Sequence, residues 1–136
     1  MIFLDTGYLL ALFDPGDELR ERAMRWSSTL REPCLVTEYV LWECVNAFSQ
    51  PANRNTAHLL INHLRSESGY EIVSATPELF EAGLQLHRER PDKAWSLTDC
   101  ISFHIMHERG IQRALAYDEH FEQAGYVALL RRPPPT

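Results

Sequence analysis

Four acids stand out by type and by position along the chain: Asp5, Glu43, Asp99 and Asp118. They come from four separate segments. Gathered at one point, four carboxylates would hold divalent cations, because hard ions such as Mg²⁺ take oxygen ligands and keep several waters. Without cations such a cluster is costly, since like charges raise one another's pKa. Each acid also has a plainer explanation. Asp5 and Asp118 are good helix N-caps. Ser96-Leu97-Thr98-Asp99 matches a capping box, and Glu43 reads as a solvated helix acid. The joint pattern carries the chemical reading, not any acid alone.

Strands and helices must alternate to bring the four together. Short apolar runs at residues 2–5, 34–37, 70–73, 113–117 and 127–130 read as strands, the last at an edge. Helical patterns cover residues 6–13, 17–30, 39–48, 57–67, 77–89, 98–109 and 119–124, with a polar loop over 51–56. Asp14-Pro15-Gly16 and Gln50-Pro51 stop helices, Pro77 opens one, and Gly110 and Gly125 close two. This alternation predicts an α/β domain over residues 1–130, with a central, mostly parallel sheet of four or five strands and helices on both faces. Residues 131–136, Arg-Arg-Pro-Pro-Pro-Thr, read as a flexible Pro-rich tail. Functional groups in such folds lie beyond the carboxyl ends of the strands. Asp5 ends the first strand and Asp118 follows the fourth. Asp99 opens the helix that feeds the fourth strand, and Glu43 lies mid-helix after the second.

Composition narrows the class. The chain has 136 residues, 45% of them hydrophobic, which suits one core and excludes a disordered body. No apolar run approaches the roughly 20 residues of a membrane span. The first residues lack a basic n-region and are interrupted by Asp5, so the expectation is a cytoplasmic protein without a signal peptide. Three cysteines, Cys34, Cys44 and Cys100, have no Cys-x-x-Cys spacing and read as small core hydrophobes. The net charge of −6 argues against a general nucleic-acid binder. Setting the four acids aside leaves only −2, and the cations are 12 Arg and Lys93. Arginine is the better phosphate fork.

The segments Ile2-Phe3-Leu4-Asp5-Thr6-Gly7, Glu43-Cys44-Val45-Asn46-Ala47, Ser96-Leu97-Thr98-Asp99-Cys100-Ile101-Ser102-Phe103 and Asp118-Glu119-His120-Phe121 resemble the PIN-domain ribonucleases. Within that family the chain looks most like the VapC-like toxins of toxin–antitoxin pairs, from Met1 to about Leu130. The resemblance implies a PIN-like three-layer sandwich. It implies that Asp5, Glu43, Asp99 and Asp118 bind metal and are the catalytic acids, with Thr6 and Thr98 as supporting polar residues. The implied cofactor is Mg²⁺, with Mn²⁺ as an alternative. The implied activity is hydrolysis of RNA by metal-activated water, leaving 3′-hydroxyl and 5′-phosphate ends. Asp5, Asp99 and Asp118 would hold the main ion, and Glu43 would complete it or hold a second. The chain departs from its relatives at Gly7 and Ala116, where they often carry Ser or Asn and Thr or Ser. Those departures bear on the strength of activity, not on the acid set.

The implied partners are an RNA substrate, a cognate small antitoxin protein and a second copy of the chain in a homodimer. The 57–67 helix turns Leu60, Ile61 and Leu64 inward, but Trp26, Leu30, Leu60 and Leu64 are not all expected to fit one small core, which leaves apolar surface for such partners. Arg20, Arg22, Arg25 and Arg54 are candidates for phosphate contacts, with no assignment among them. His104 and His107 lack the His-Glu-x-x-His spacing of a zinc site. His120 reads as an RNA contact or a residue that shapes the turn. A receiver domain would need a Lys near its last strand, and a haloacid-dehalogenase phosphatase would need Asp-x-Asp after its first. The chain has neither. The remaining alternative is a weakly active or inactive PIN fold that serves as an RNA-binding or partner-binding module.

Overall fold

The computed structural model describes residues 1–135, and Thr136 lies outside the described residues. Five short strands form the sheet: β1 (Ile2–Leu4), β2 (Cys34–Thr37), β3 (Tyr70–Val73), β4 (Arg113–Leu115) and β5 (Val127–Ala128). Their order is β3-β2-β1-β4-β5 and every pairing is parallel, with Phe3 in register with Leu35 on one side and Ala114 on the other. The helices are α1 (Thr6–Phe13), α2 (Arg20–Thr29), α3 (Glu38–Ala47), α4 (Arg54–Ser66), α5 (Pro77–Glu89), α6 (Leu97–Arg109) and α7 (Glu119–Gln123).

The strand order explains the three layers. The chain runs outward from β1 through β2 to β3, then crosses back to β4 and β5. Right-handed crossovers place helices on opposite faces for the two directions of travel. Accordingly α1 to α4 pack among themselves, and α5, α6 and α7 pack among themselves. The strands face helices on both sides, so they read as continuous apolar runs without alternation. Ile2, Phe3, Leu4, Leu35, Val36, Ala114 and Leu115 are all buried.

Local chemistry sets the helix ends. Thr37 Oγ1 accepts from the Val40 amide to cap α3, and Thr76 Oγ1 accepts from the Leu79 amide to cap α5. Gly110 closes α6 at a φ of 65°, a left-handed value that glycine adopts without strain. α2 starts at Arg20, later than the acid-rich first turn suggested. Asp17 Oδ1 accepts the Leu19 amide at 2.8 Å and folds residues 17–19 into a turn instead. The loop expected over residues 51–56 is shorter, because Pro51–Asn53 form a 3₁₀ turn that leads directly into α4.

Two larger expectations change. Leu60 and Leu64 are both in the core, Trp26 is buried, and Leu30 packs against them. The apolar stripe of α4 turns inward, as its periodicity predicts, and leaves Leu59 outside. The large exposed apolar side chains include Trp42, Leu59, Met24 and Phe80. The tail is also held further than a free end would be. After β5 the chain enters a 3₁₀ turn, Leu129–Arg131, where the Leu130 amide donates to Ala116 O. Beyond it the Trp26 indole donates to Arg132 O at 3.2 Å, and Pro134 is buried. The part of that segment at Thr136 lies outside the described residues.

Candidate active site

The sheet reverses its direction of travel between β1 and β4, so the crevice beyond their carboxyl ends is the natural binding place. Asp5 leaves β1 there and Asp118 follows β4. Asp5 occupies the N-cap position of α1, but its side chain makes no capping hydrogen bond. The plain capping explanation therefore fails for the acid at the centre of the crevice. The Asp5 amide donates to Leu115 O, which ties the residue to β4 as well as β1.

Asp118 does cap its helix: Oδ1 accepts the His120 amide at 2.8 Å. Asp99 completes a true capping box, with its amide donating to Ser96 Oγ and its Oδ2 accepting the Ser96 amide at 3.1 Å. Capping and clustering coexist here, since a cap fixes a carboxylate at a helix start without consuming both of its oxygens. The His120 ring then joins the two acids. Its Nδ1 lies 2.9 Å from Asp99 Oδ2 and 3.1 Å from Asp118 Oδ1.

Glu43 comes from α3 and faces α1, where the Thr6 hydroxyl donates to its Oε1 at 2.6 Å. Glu43 is half-buried there and is not a fully solvated helix acid. Thr98 is half-buried in the first turn of α6, immediately before Asp99, and its carbonyl accepts from the buried Ser102 hydroxyl. An aromatic column supports this end of the sheet. Trp95 meets Phe103 at 5.0 Å, Phe103 meets Phe121 at 5.0 Å, and Phe121 meets Phe3 at 6.2 Å. The column links the approach to α6, the start of α7 and β1, the elements that carry Asp99, Asp118 and Asp5.

Electrostatics shows that the four carboxylates share one neighbourhood. Asp5 keeps some contact with solvent, yet the protein packed around its carboxyl, and then the charges of Asp99, Glu43 and Asp118, push it up to about 7. The Thr6 amide opposes this only in part. Among the described residues no Arg or Lys forms an ion pair with any of the four acids, and His120 is the sole basic side chain in contact with them. The donor set is all carboxylate oxygen and uncompensated in charge, which fits Mg²⁺ or Mn²⁺. Among the described residues no three His, Cys, Asp or Glu side chains are drawn close enough together to hold a metal ion between them.

The three cysteines stay outside this chemistry. All are free and buried, and burial pushes the Cys44 thiol up to about 12 with help from the charges of Asp5 and Glu43. Two of the arginine candidates are committed elsewhere. Arg20 donates to Leu12 O and Arg22 to Leu130 O, so both brace the fold. Arg25 and Arg54 are exposed. At Gly7 an added Cβ would meet nothing within 4 Å, whereas Ala116 is buried. The feature that sequence reasoning missed is the reach of His120 to Asp99. Its only sequence signal was its place two residues after Asp118.

Comparison with known proteins agrees with this architecture. The PIN domain family matches residues 2–126. The 23S rRNA-specific endonuclease VapC20 of Mycobacterium tuberculosis, strain H37Rv, is 30% identical over 129 residues, 93% of this chain and 96% of that protein. The same holds for VapC20 of strain CDC 1551. The crystal structure of M. tuberculosis VapC20, described as a sarcin-ricin loop cleaving toxin, superposes with a TM-score of 0.87 at 25% identity. The superposition covers 95% of this chain and 98% of that one.

Proposed function

We propose a function from a plain premise: the chain belongs to the PIN-domain family, in its VapC-like branch. It is an endoribonuclease toxin of that type. We infer further that Asp5, Glu43, Asp99 and Asp118 are its catalytic acids and hold Mg²⁺ or Mn²⁺. The observation that carries this reading is the neighbourhood of Asp5, where three further carboxylates act on one partly buried acid and, among the described residues, no Arg or Lys pairs with them.

A phosphodiester is anionic and repels a nucleophile, and a bound divalent cation neutralises the phosphate and acidifies a water. The residues of the chain prepare for that. Asp5, Asp99 and Asp118 surround the crevice at the β1 and β4 ends. Glu43 completes that set or serves a second ion, and Thr6 fixes the rotation of its carboxylate. Thr98 sits in the turn that presents Asp99. The expected products carry 3′-hydroxyl and 5′-phosphate ends.

The proposed partners follow from the same family. A small antitoxin would cover apolar surface on the early helices and bring a basic side chain to the acids. Trp42, 66% exposed on α3, and the neighbouring groove formed with Ile61 and Arg65 of α4 are suited to receive it. A homodimer is the proposed assembly. No described helix is long and apolar enough to cross a membrane, and the proposed location is the cytoplasm, with the RNA substrate.

The test is cleavage of total cellular RNA, and separately of 23S rRNA because the relative acts on it, by antitoxin-free protein. Discrete fragments that need Mg²⁺ or Mn²⁺, disappear with EDTA and disappear in Asp99→Asn are expected. Mapping their ends then defines the target. No cleavage by folded wild type with either metal across that pool would overturn the proposal in favour of a binding module.

A further inference from the structure

We propose that His120 is a positioning residue that clamps Asp99 and Asp118 into one ligand pair. This rests on the metal site proposed above. The two acids come from different elements, one from the first turn of α6 and one from the N-cap of α7. As anions held close together they repel, and no Arg or Lys pairs with either among the described residues. The His120 ring bridges them, at 2.9 Å to Asp99 Oδ2 and 3.1 Å to Asp118 Oδ1. Carboxylate oxygens only accept, so Nδ1 carries the hydrogen and donates.

The pattern of occupied oxygens gives the clamp its meaning. Asp99 Oδ2 takes the ring and the Ser96 amide. Asp118 Oδ1 takes the ring and the His120 amide. Asp99 Oδ1 and Asp118 Oδ2 have no protein hydrogen bond among the described residues. One oxygen of each carboxylate is fixed, and the other is left for a cation. Partners of this kind set the orientation of metal-ligating groups, and losing one typically weakens metal binding about 10–100-fold.

The ring is also held where a clamp must be. Its side chain is 20% exposed, between the 14% of Asp99 and the 44% of Asp118. The next residue, Phe121, is fully buried in the aromatic column against Phe103 and Phe3. The backbone at residue 120 is therefore anchored on one side by the Asp118 cap and on the other by the core.

Mn²⁺ binding to the metal-free protein, measured by titration calorimetry at one fixed pH, tests the clamp. His120→Ala should weaken binding about 10–100-fold. Asparagine places an amide N–H near the position of Nδ1, whereas glutamine places one near Nε2. His120→Asn should therefore restore affinity to within about threefold, and His120→Gln should not. Unchanged or tighter binding in His120→Ala, with Asp99→Asn still weakened, overturns the clamp and leaves the metal site standing. If His120→Ala does not fold, the Asn and Gln variants decide alone, and equal affinity in the two overturns the clamp. A raised KM for RNA with unchanged Mn²⁺ affinity would also overturn it and make His120 an RNA contact. Failure of wild type to bind Mn²⁺ at all would instead overturn the proposed site, and the clamp with it.

Discussion

The Thr6 hydroxyl donates to Glu43 Oε1 across 2.6 Å and ties α1 to α3 beside Asp5. Glu43 sits mid-helix, where nothing in its own helix fixes its carboxylate. A hydrogen bond to a charged acceptor is worth about 1.5–3 kcal/mol, and partial exposure places this one at the lower end. Thr6→Val keeps the shape and removes the donor. It should lower kcat/KM roughly tenfold, the equivalent of about 1.4 kcal/mol, and lower stability by about 1.5 kcal/mol. Thr6→Ser should behave nearly as wild type. Steady-state kinetics on a mapped RNA substrate, beside thermal melts of all three proteins, separates the two effects. Equal activity in Thr6→Val would remove Thr6 from the site.

Asp5 predicts an unusual pH dependence for the metal-free protein. Its folded pKa is raised from 3.8 to about 7 by surrounding protein and by Asp99, Glu43 and Asp118. Below pH 4 the group is protonated in both states and costs nothing. Between about 4 and 7 the unfolded chain releases the proton and the folded one keeps it, so stability falls as pH rises. Each pKa unit corresponds to about 1.4 kcal/mol, which gives a loss of roughly 2–4 kcal/mol, the lower figure reflecting the solvent contact Asp5 keeps. In EDTA, urea unfolding should show wild type losing stability from pH 5 to pH 8. Asp5→Asn should lose far less, and should be the more stable protein at pH 8 while having no nuclease activity. Parallel pH profiles for the two proteins would contradict this.

The strand ends carried most of what was legible in the sequence. Asp5 and Asp118 follow apolar runs that only a doubly covered sheet explains, and the parallel alternation puts such positions at one edge. Asp99 was legible through Ser96, since a capping box fixes the start of α6. The contact between His120 and Asp99 was not legible. It joins residues 21 apart through the approach of α7 to α6, which depends on how Phe121 and Phe103 pack. The inward stripe of Leu60 and Leu64 was legible, but that Trp26, Leu30, Leu60 and Leu64 all find room in one core was missed for a similar reason. Helical periodicity identifies a stripe but not the depth of the core available to it. The docked tail was hidden because its bonds use the backbone carbonyls of Leu130 and Arg132, which carry no side-chain signal.

Gly83 decides how closely α5 approaches α6. A Cβ there would overlap Ile101 Cγ1 and lie 3.2 Å from Leu97 Cδ1. Alanine is the better helix former by about 1 kcal/mol, whereas overpacking a core costs about 1–3 kcal/mol. Cγ1 is near the base of its side chain and cannot swing away, so the steric term wins. Gly83→Ala should destabilise by up to about 2 kcal/mol, the net of those two terms. Denaturant midpoints would show it, and Ile101→Ala in the same chain should make the Gly83 change less costly. A stabilised single mutant would mean that the helices separate freely and that the packing behind Asp99 is not rigid.

The segment after β5 reaches the proposed active site through the backbone of Tyr117. Arg131 Nη1 donates to Tyr117 O at 2.9 Å, its Nε meets Glu122 Oε1 at 3.0 Å, and its guanidinium lies 5.3 Å from the centre of the Tyr117 ring. Tyr117 immediately precedes Asp118, so Arg131 braces the peptide that aims one of the proposed catalytic acids. These contacts are exposed, and exposed pairs contribute only about 0–1 kcal/mol each. Truncation after residue 130 should therefore cost about 1–2 kcal/mol, including the loss of the Trp26 bond to Arg132. Its effect on cleavage should be larger than that loss of stability explains, because the freed Tyr117 carbonyl releases the entry to Asp118. Arg131→Met separates the two, keeping an apolar stem over the ring without the donor to Tyr117 O. Measured well below its melting temperature, Arg131→Met should lower kcat about three- to tenfold, an effect of about 1 kcal/mol. Full activity in both variants would make the segment a brace for α2 alone.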